Sequence, residues 1–315
     1  MKMQLRKVIT YLQVMCVAIA GANLAWSETI FGDDLIFECD FELGTLIDWS
    51  DVVGGIPPTV TITLPGGVTM DLVYIPAGTF EMGSPVGERG RIDYEDLHEV
   101  TLTSGYYMGL TEVTQWQWEA VMGTAMPSSC GDYGIGPDYP VYCVSWDDIA
   151  ASGGFVELLN AHLANTGQPG AGLFRLPTEA EWERAARGGT QTEFSFAAPL
   201  DWDLECGSFA EADPYMWWCG NDSPVYSKPV GTKQANPFGL KDMHGNIWEW
   251  VEDRWLSHLG YNPVIDPIGP ATGLSRVNRG GSWLSFAKSC RSAYRASQTT
   301  SYRYYGIGFR IARFE

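Results

Sequence analysis

One stretch of the chain, residues 236–255, constrains the fold more than any other. It reads Asn-Pro-Phe-Gly-Leu-Lys-Asp-Met-His-Gly-Asn-Ile-Trp-Glu-Trp-Val-Glu-Asp-Arg-Trp. Asn236-Pro237 favours turn initiation, and the chain reverses around His244-Gly245-Asn246. After the turn, apolar and acidic residues alternate through Ile247, Trp248, Glu249, Trp250, Val251 and Glu252, a period of two that reads as a strand. Asp242 and Glu249 bracket the turn, with the carbonyls of Gly245 and Ile247 between them. Two carboxylates and turn carbonyls are the hard oxygen ligands that Ca²⁺ takes. The same residues have a plainer reading, in which Asp242 caps the turn and Glu249 pairs with an arginine.

Composition sets the bounds around this motif. At 315 residues and 45% hydrophobic, the chain can bury a sizeable core in one large domain or two small ones. Charged residues make up only 18%, while glycines (36) and aromatics (13%) are plentiful, which suits a loop-rich fold with short strands better than a helical bundle. A formal net charge of −18 argues against nucleic acid or anionic lipid as partner.

Residues 1–27 read as an export signal. Lys2, Arg6 and Lys7 precede an apolar core at 14–22, and Ala25-Trp26-Ser27 places small residues for cleavage before Glu28. The apolar run falls short of the ~20 residues that span a bilayer, so no membrane span is expected and the destination is periplasmic, cell-surface or extracellular. Residues 28–58 form a short acidic segment and linker ending at Pro57-Pro58, and the main domain is expected at 59–315. Export favours oxidised cysteines. Six remain after cleavage: Cys39, Cys130, Cys143, Cys206, Cys219 and Cys290. Cys130 with Cys143 and Cys206 with Cys219 are local pairs in polar segments, although six cysteines allow about fifteen connectivities. No CxxC occurs, and His98, His162, His244 and His258 are scattered, so zinc is not expected.

Local signals place the elements. Residues 61–64 and 70–75 alternate as two strands around Pro65-Gly66-Gly67, and 99–102 returns to strand character. Thr114-Gln115-Trp116-Gln117 fits a capping box, with Gly123 as the stop. Ser145-Trp146-Asp147-Asp148 starts a second helix, whose early turns Gly153-Gly154 kink or break. Thr178-Glu179-Ala180-Glu181 caps a third, terminated by Gly188-Gly189. Glu179, Glu181 and Glu183 suit acid–base chemistry, but acids at a helix start are also favoured by the helix dipole.

Several motifs, in order, resemble the formylglycine-generating enzyme (sulfatase-modifying factor) family. They are Ile75-Pro76-Ala77-Gly78-Thr79-Phe80-Glu81-Met82-Gly83-Ser84, Arg175-Leu176-Pro177-Thr178-Glu179-Ala180-Glu181-Trp182-Glu183, the run Gly239 to Trp250, Arg279-Gly280-Gly281-Ser282-Trp283, Cys290-Arg291-Ser292-Ala293-Tyr294-Arg295, and Gly308-Phe309-Arg310. The resemblance spans 59–315 and implies a single α+β domain. That domain would be irregular and loop-rich, with little regular secondary structure and a fold related to C-type lectins. It also implies a structural Ca²⁺ held by the side chains of Asp242 and Glu249 and the carbonyls of Gly245 and Ile247.

The enzyme members of that family bind Cu(I) through a CxxxxC thiolate pair just after the GGS motif and oxidise a substrate cysteine with O₂. Counting forward from Ser282, the first thiolate position is Ser285 and the second Cys290; counting back from Arg295 and Gly308, Cys290 falls beside the pair. On either count no CxxxxC exists, and a hydroxyl is a poor Cu(I) ligand. Copper is therefore not expected. Cys290, Ser282 and Trp248 remain as catalytic candidates, although Gly280-Gly281-Ser282-Trp283-Leu284 is not a GxSxG elbow. The leading reading is an exported binding or accessory module, with a peptide, protein or glycan as ligand and a sulfatase as one possible partner. Its binding surface is expected near Trp248, Ser282, Ser285, Arg291 and the run Tyr302-Arg303-Tyr304-Tyr305. A formylglycine-generating oxidase with an altered site, or another activity on the same scaffold, are the alternatives.

Overall fold

Pro65-Gly66-Gly67 folds as a single 3₁₀ turn with Gly66 in the left-handed region, and the two strands it joins run antiparallel with Ile62 opposite Met70. The computed structural model describes residues 29–31, 34–36, 59–168, 172–196, 205–207 and 209–314. The expected export signal, Cys39 and most of the 28–58 segment lie outside the described residues. The chain divides into two units, 1–55 and 56–315. The first contributes an antiparallel pair, β1 (Thr29–Phe31) and β2 (Asp34–Ile36).

The second unit opens with β3 (Thr59–Thr63), β4 (Thr69–Ile75), β5 (Gly78–Met82), β6 (His98–Leu102) and β7 (Tyr106–Gly109). Helices α1 (Gln115–Met122), α2 (Trp146–Ala150) and α3 (Phe155–Asn165) follow, then β8 (Phe174–Arg175) and α4 (Glu179–Arg187). The remainder is β9 (Trp248–Arg254), β10 (Val264–Ile265), β11 (Ser275–Arg279), β12 (Ala296–Thr299), β13 (Ile307–Phe309) and β14 (Ala312–Phe314). Sheets run in the orders β3-β4-β7-β14-β8, β10-β6-β5 and β12-β11-β9-β13. Short strands in mixed sheets and a few short helices make this an α+β, loop-rich fold.

The caps fall where the side chains demand. Thr114, Ser145 and Thr178 each accept from the backbone N–H three residues on, with the reciprocal bond from Gln117, Asp148 or Glu181. Gly123 and Gly188 end their helices in the left-handed conformation. Gly153-Gly154 separates α2 from α3, so the expected second helix is two helices. Strand β9 lies inside its sheet, antiparallel to β11 and parallel to β13. Both its edges are therefore paired, and the burial of the successive residues Glu249, Trp250 and Val251, and of Asp253, shows that both faces are covered as well. Trp182 and Phe309, which adjoin it, are buried too. Among the described residues no helix is long and apolar enough to cross a membrane.

Candidate functional site

Two groups of side chains surround the turn that precedes β9. The first is electrostatic. Asp242 and Asn246 adopt left-handed backbone conformations, and Gly245 packs so closely on Trp217 that a Cβ there would stand 2.0 Å from the Trp217 carbonyl oxygen. Only glycine fits that position. Asn246 N–H donates to that same carbonyl at 3.0 Å. The turn delivers Glu249 to the fully buried Arg310, which donates to both carboxylate oxygens at 2.7 Å, while Trp182 Nε1 adds a third bond at 2.7 Å. This is the arginine partner that the plainer reading of Glu249 allows.

Asp242 accepts Gly231 N–H on Oδ2 at 2.5 Å, but its buried Oδ1 has no hydrogen-bond partner. Burial pushes its carboxyl up to about 6. Beside it lies Glu112, a residue that no sequence motif singled out. It is fully buried, and neither carboxylate oxygen has a hydrogen-bond partner. Burial raises its pKa well above the carboxylate range, and the charges of Asp242 and Glu249 raise it further. Of the carboxylates expected to hold calcium, Asp242 thus has an oxygen open, whereas both oxygens of Glu249 are engaged by Arg310 and Trp182.

The three glutamates of α4 are neutralised rather than poised. Glu179 takes a bidentate pair from Arg295 at 2.5 and 2.8 Å. Glu183 meets Arg187 at 2.8 Å and also Arg279. Glu181 closes its capping box and binds Arg175 at 2.6 Å. Their partners, more than the helix dipole, explain why acids occupy these buried positions.

The second group is the C-terminal face. Trp283 N–H donates to the Asn246 carbonyl at 2.9 Å, which ties the Arg279-Gly280-Gly281-Ser282-Trp283 motif to the β9 turn. Cys206–Cys219 and Cys130–Cys143 are both bridged, as their spacing allows, and Cys219 N–H donates to the Ser285 carbonyl at 3.1 Å. Among the described residues Cys290 is the free cysteine, and it is buried. Its thiol packs against Gly281 and lies in a cluster with Phe194, Phe196, Met216, Trp218 and Ala287. Burial pushes the thiol pKa upward. The neutral His244 donates from Nδ1 to the Cys290 carbonyl at 2.9 Å and accepts from the Ser195 hydroxyl on Nε2 at 2.8 Å. Burial pulls this imidazole down to about 4.

Where CxxxxC would place its first thiolate, Ser285 Oγ accepts from Ser282 N–H at 3.0 Å and lies 3.1 Å from Ser282 Oγ. Ser282 is buried and Trp248 half-buried. Two expected surface residues are corrected: Ser282 is 1% exposed, held against Ser285, and Arg291 is 0% exposed and forms ion pairs with Glu88 at 2.5 Å and Glu95 at 2.6 Å. The role of Arg291 is inside the molecule, because two carboxylates from the 83–96 loop hold it there.

The aromatic run is not a loose loop. Tyr304 and Tyr305 lie 4.0 Å apart between ring centroids, and Tyr305 stacks on Tyr133 at 4.3 Å. Tyr133 in turn stacks on Trp283 at 5.9 Å, and Tyr302 on Tyr304 at 6.2 Å. Tyr302 and Phe286 are exposed, and Ser285, Lys288, Tyr304 and Tyr305 are half-buried. A side chain at Gly306 would lie 3.4 Å from Tyr304 and 3.5 Å from the Ser282 hydroxyl, and the Gly306 carbonyl accepts Trp248 N–H at 2.8 Å. Trp248, Ser282 and the tyrosines therefore adjoin. Tyr133 belongs to the loop closed by Cys130–Cys143, remote in sequence, and no motif marked it.

Residues 63–314 match the family model for the sulfatase-modifying factor enzyme 1-like domain. The chain is 36% identical over 186 residues to the formylglycine-generating enzyme of Streptomyces coelicolor, covering 56% of this chain and 53% of that enzyme. It thus spans about half the length of that relative. It is 29% identical over 263 residues to the chaperone protein LppX of Paenibacillus barcinonensis, covering 72% of this chain and 83% of LppX. Among solved structures, Treponema denticola variable protein 1 superposes with a TM-score of 0.67 and 29% identity, over 82% of this chain and all of that one.

Proposed function

The chain belongs to the sulfatase-modifying factor enzyme 1-like domain family, and from that premise we propose that it is an exported, calcium-stabilised binding or accessory module and not a copper-dependent oxidase. The state of Cys290 carries this reading. A Cu(I) oxidase of the family's kind needs two thiolates able to reach one metal. Here Ser285 occupies the first position, engaged with Ser282, and Cys290 is a buried thiol whose pKa is raised. A thiol without thiolate character is neither nucleophile nor metal ligand. Position 285 supplies only a hydroxyl and a backbone carbonyl, and that carbonyl is bonded to Cys219 N–H.

The surface offered instead is the stacked aromatic face of Tyr302, Tyr304 and Tyr305, which adjoins Ser282 and Trp248. Aromatic side chains present large contact area at low conformational-entropy cost, which suits a peptide, protein or glycan ligand. Similarity to a chaperone across most of that protein's length is in keeping with an accessory role.

The test is alkylation of the folded protein, resolved to individual cysteines by peptide mapping, with Cu(I) titrated in the same preparation. The Cys290 peptide is expected to be alkylated only after denaturation, and no tight Cu(I) uptake should occur. Rapid alkylation of Cys290 in the native state together with stoichiometric Cu(I) binding would overturn the reading in favour of the oxidase.

A further inference from the structure

A cleft of about 410 Å³ opens between α1 and the 125–137 segment, within the range of roughly 300–1,000 Å³ typical of ligand sites. Its walls are fixed. Gln115 donates from Nε2 to the Gly134 and Pro140 carbonyls at 2.8 and 3.2 Å and accepts Gly136 N–H at 3.1 Å. The Tyr142 hydroxyl donates to the Gly131 carbonyl at 2.9 Å and accepts Tyr133 N–H at 2.7 Å, and the Cys130–Cys143 bridge closes the segment. A loop fastened in this way is pre-organised, so a ligand need not order it. Into the cleft face Trp116, 54% exposed, Ile135, 56% exposed, and Met126. Among the described residues the Trp116 ring has no aromatic or cation–π partner. Single exposed apolar side chains are ordinary, but three converging on one concavity mark a contact surface. Glu119 and Asp132 line the same cleft and are exposed. Neither has an ion-pair partner among the described residues, and no Lys or Arg lines the cleft. Trp116 and Glu119, three residues apart on α1, share one face of that helix.

We propose that this cleft binds a basic side chain, Lys or Arg, on an extended peptide segment of a partner protein. Two uncompensated carboxylates select a cation, and the indole face with Met126 and Ile135 selects one carried on an apolar stem. The chain's net charge of −18 steers a basic partner toward it. Continuity favours a peptide over a free amine. Asp132 is followed by Tyr133, whose ring stacks at 4.3 Å on Tyr305 of the aromatic face, so one extended segment spans both surfaces. The inference rests on the binding-module reading for the partner's being a protein, and adds to it a requirement for positive charge at a second, separate site.

The experiment selects displayed random heptapeptides on the immobilised full chain at physiological salt and measures the selected sequences, made synthetically, by calorimetry. They are expected to carry Lys or Arg beside an apolar residue. Replacing that Arg by citrulline, or that Lys by norleucine, should weaken binding about tenfold or more, and added salt should weaken it further. The double variant Glu119→Gln/Asp132→Asn should lose about as much, and Trp116→Ala about fivefold. All three positions are exposed, so the variants are expected to melt as wild type does. Selected peptides without a basic preference, or with undiminished affinity for the double variant, overturn the cleft assignment and leave the binding-module reading standing. Agmatine binding as tightly as the peptides overturns the peptide occupant. Failure to select any binding peptide overturns the assignment together with the peptide part of the reading it rests on.

Discussion

Asp253 shows how one buried group sets a pH response. From β9 its Oδ2 accepts the N–H of Glu179 at 2.8 Å, at the start of α4. Burial, reinforced by the charges of Glu179, Glu181 and Glu252, pushes its pKa up to about 8, against about 3.9 in an unfolded chain. A carboxyl whose pKa is higher in the folded state stabilises the protein fully below the unfolded value. That contribution is lost as pH rises from about 4 to about 8. Asp253→Asn mimics the protonated form and keeps the acceptor oxygen. It should leave stability nearly unchanged at about pH 3.5 and raise it by about 2 kcal/mol or more at about pH 8.5. Urea unfolding at the two pH values measures this directly, and an equal effect at both would refute the protonated Asp253.

At the scale of elements, α4 is nine residues long, too short to persist by propensity alone, and its two ends are specified by particular atoms. Thr178→Ala removes the hydroxyl that accepts Glu181 N–H and should cost about 1 kcal/mol. Gly188→Ala should cost more. Its φ of 58° is left-handed, and a Cβ would meet Pro237 Cδ at 2.7 Å, so strain adds to the ~1 kcal/mol penalty of the conformation. Denaturant midpoints of the two variants check both magnitude and order. These ends were legible beforehand because a cap depends on residues three apart. The division of α2 from α3 was legible for the same reason, since Gly153-Gly154 sits inside the periodic run.

For the whole molecule, four arginines of the last forty residues fasten distant parts of the chain. Arg279 and Arg295 reach Glu179 and Glu183 on α4, Arg291 reaches Glu88 and Glu95, and Arg310 reaches Glu249. These pairs are buried, so removing one partner strands a charge where water cannot reach. Arg291→Met is expected to cost about 3–5 kcal/mol. Arg303→Met, which breaks a pair with Asp148 whose members are 40% and 24% exposed, should cost less than about 1 kcal/mol. Thermal unfolding of the two variants separates them; similar losses would show that Arg291 is no more essential than a surface arginine.

By itself the sequence determined what depends on neighbours along the chain: the hairpin at 65–67, the three capping boxes, the turn at 244–246, and the family to which the ordered motifs belong. Only the tertiary structure decided which charges meet. Glu249 has two readings in the sequence, calcium ligand and arginine partner, and it is Arg310, sixty-one residues away, that supplies the guanidinium. Arg291 read as surface until Glu88 and Glu95 enclosed it, and Tyr133 was an ordinary loop residue until it stacked between Tyr305 and Trp283. Glu112 had no motif to mark it at all. The physical reason is one of range: capping and turn preferences act over a few residues, whereas burial and the pairing of charges depend on which segments the fold brings together.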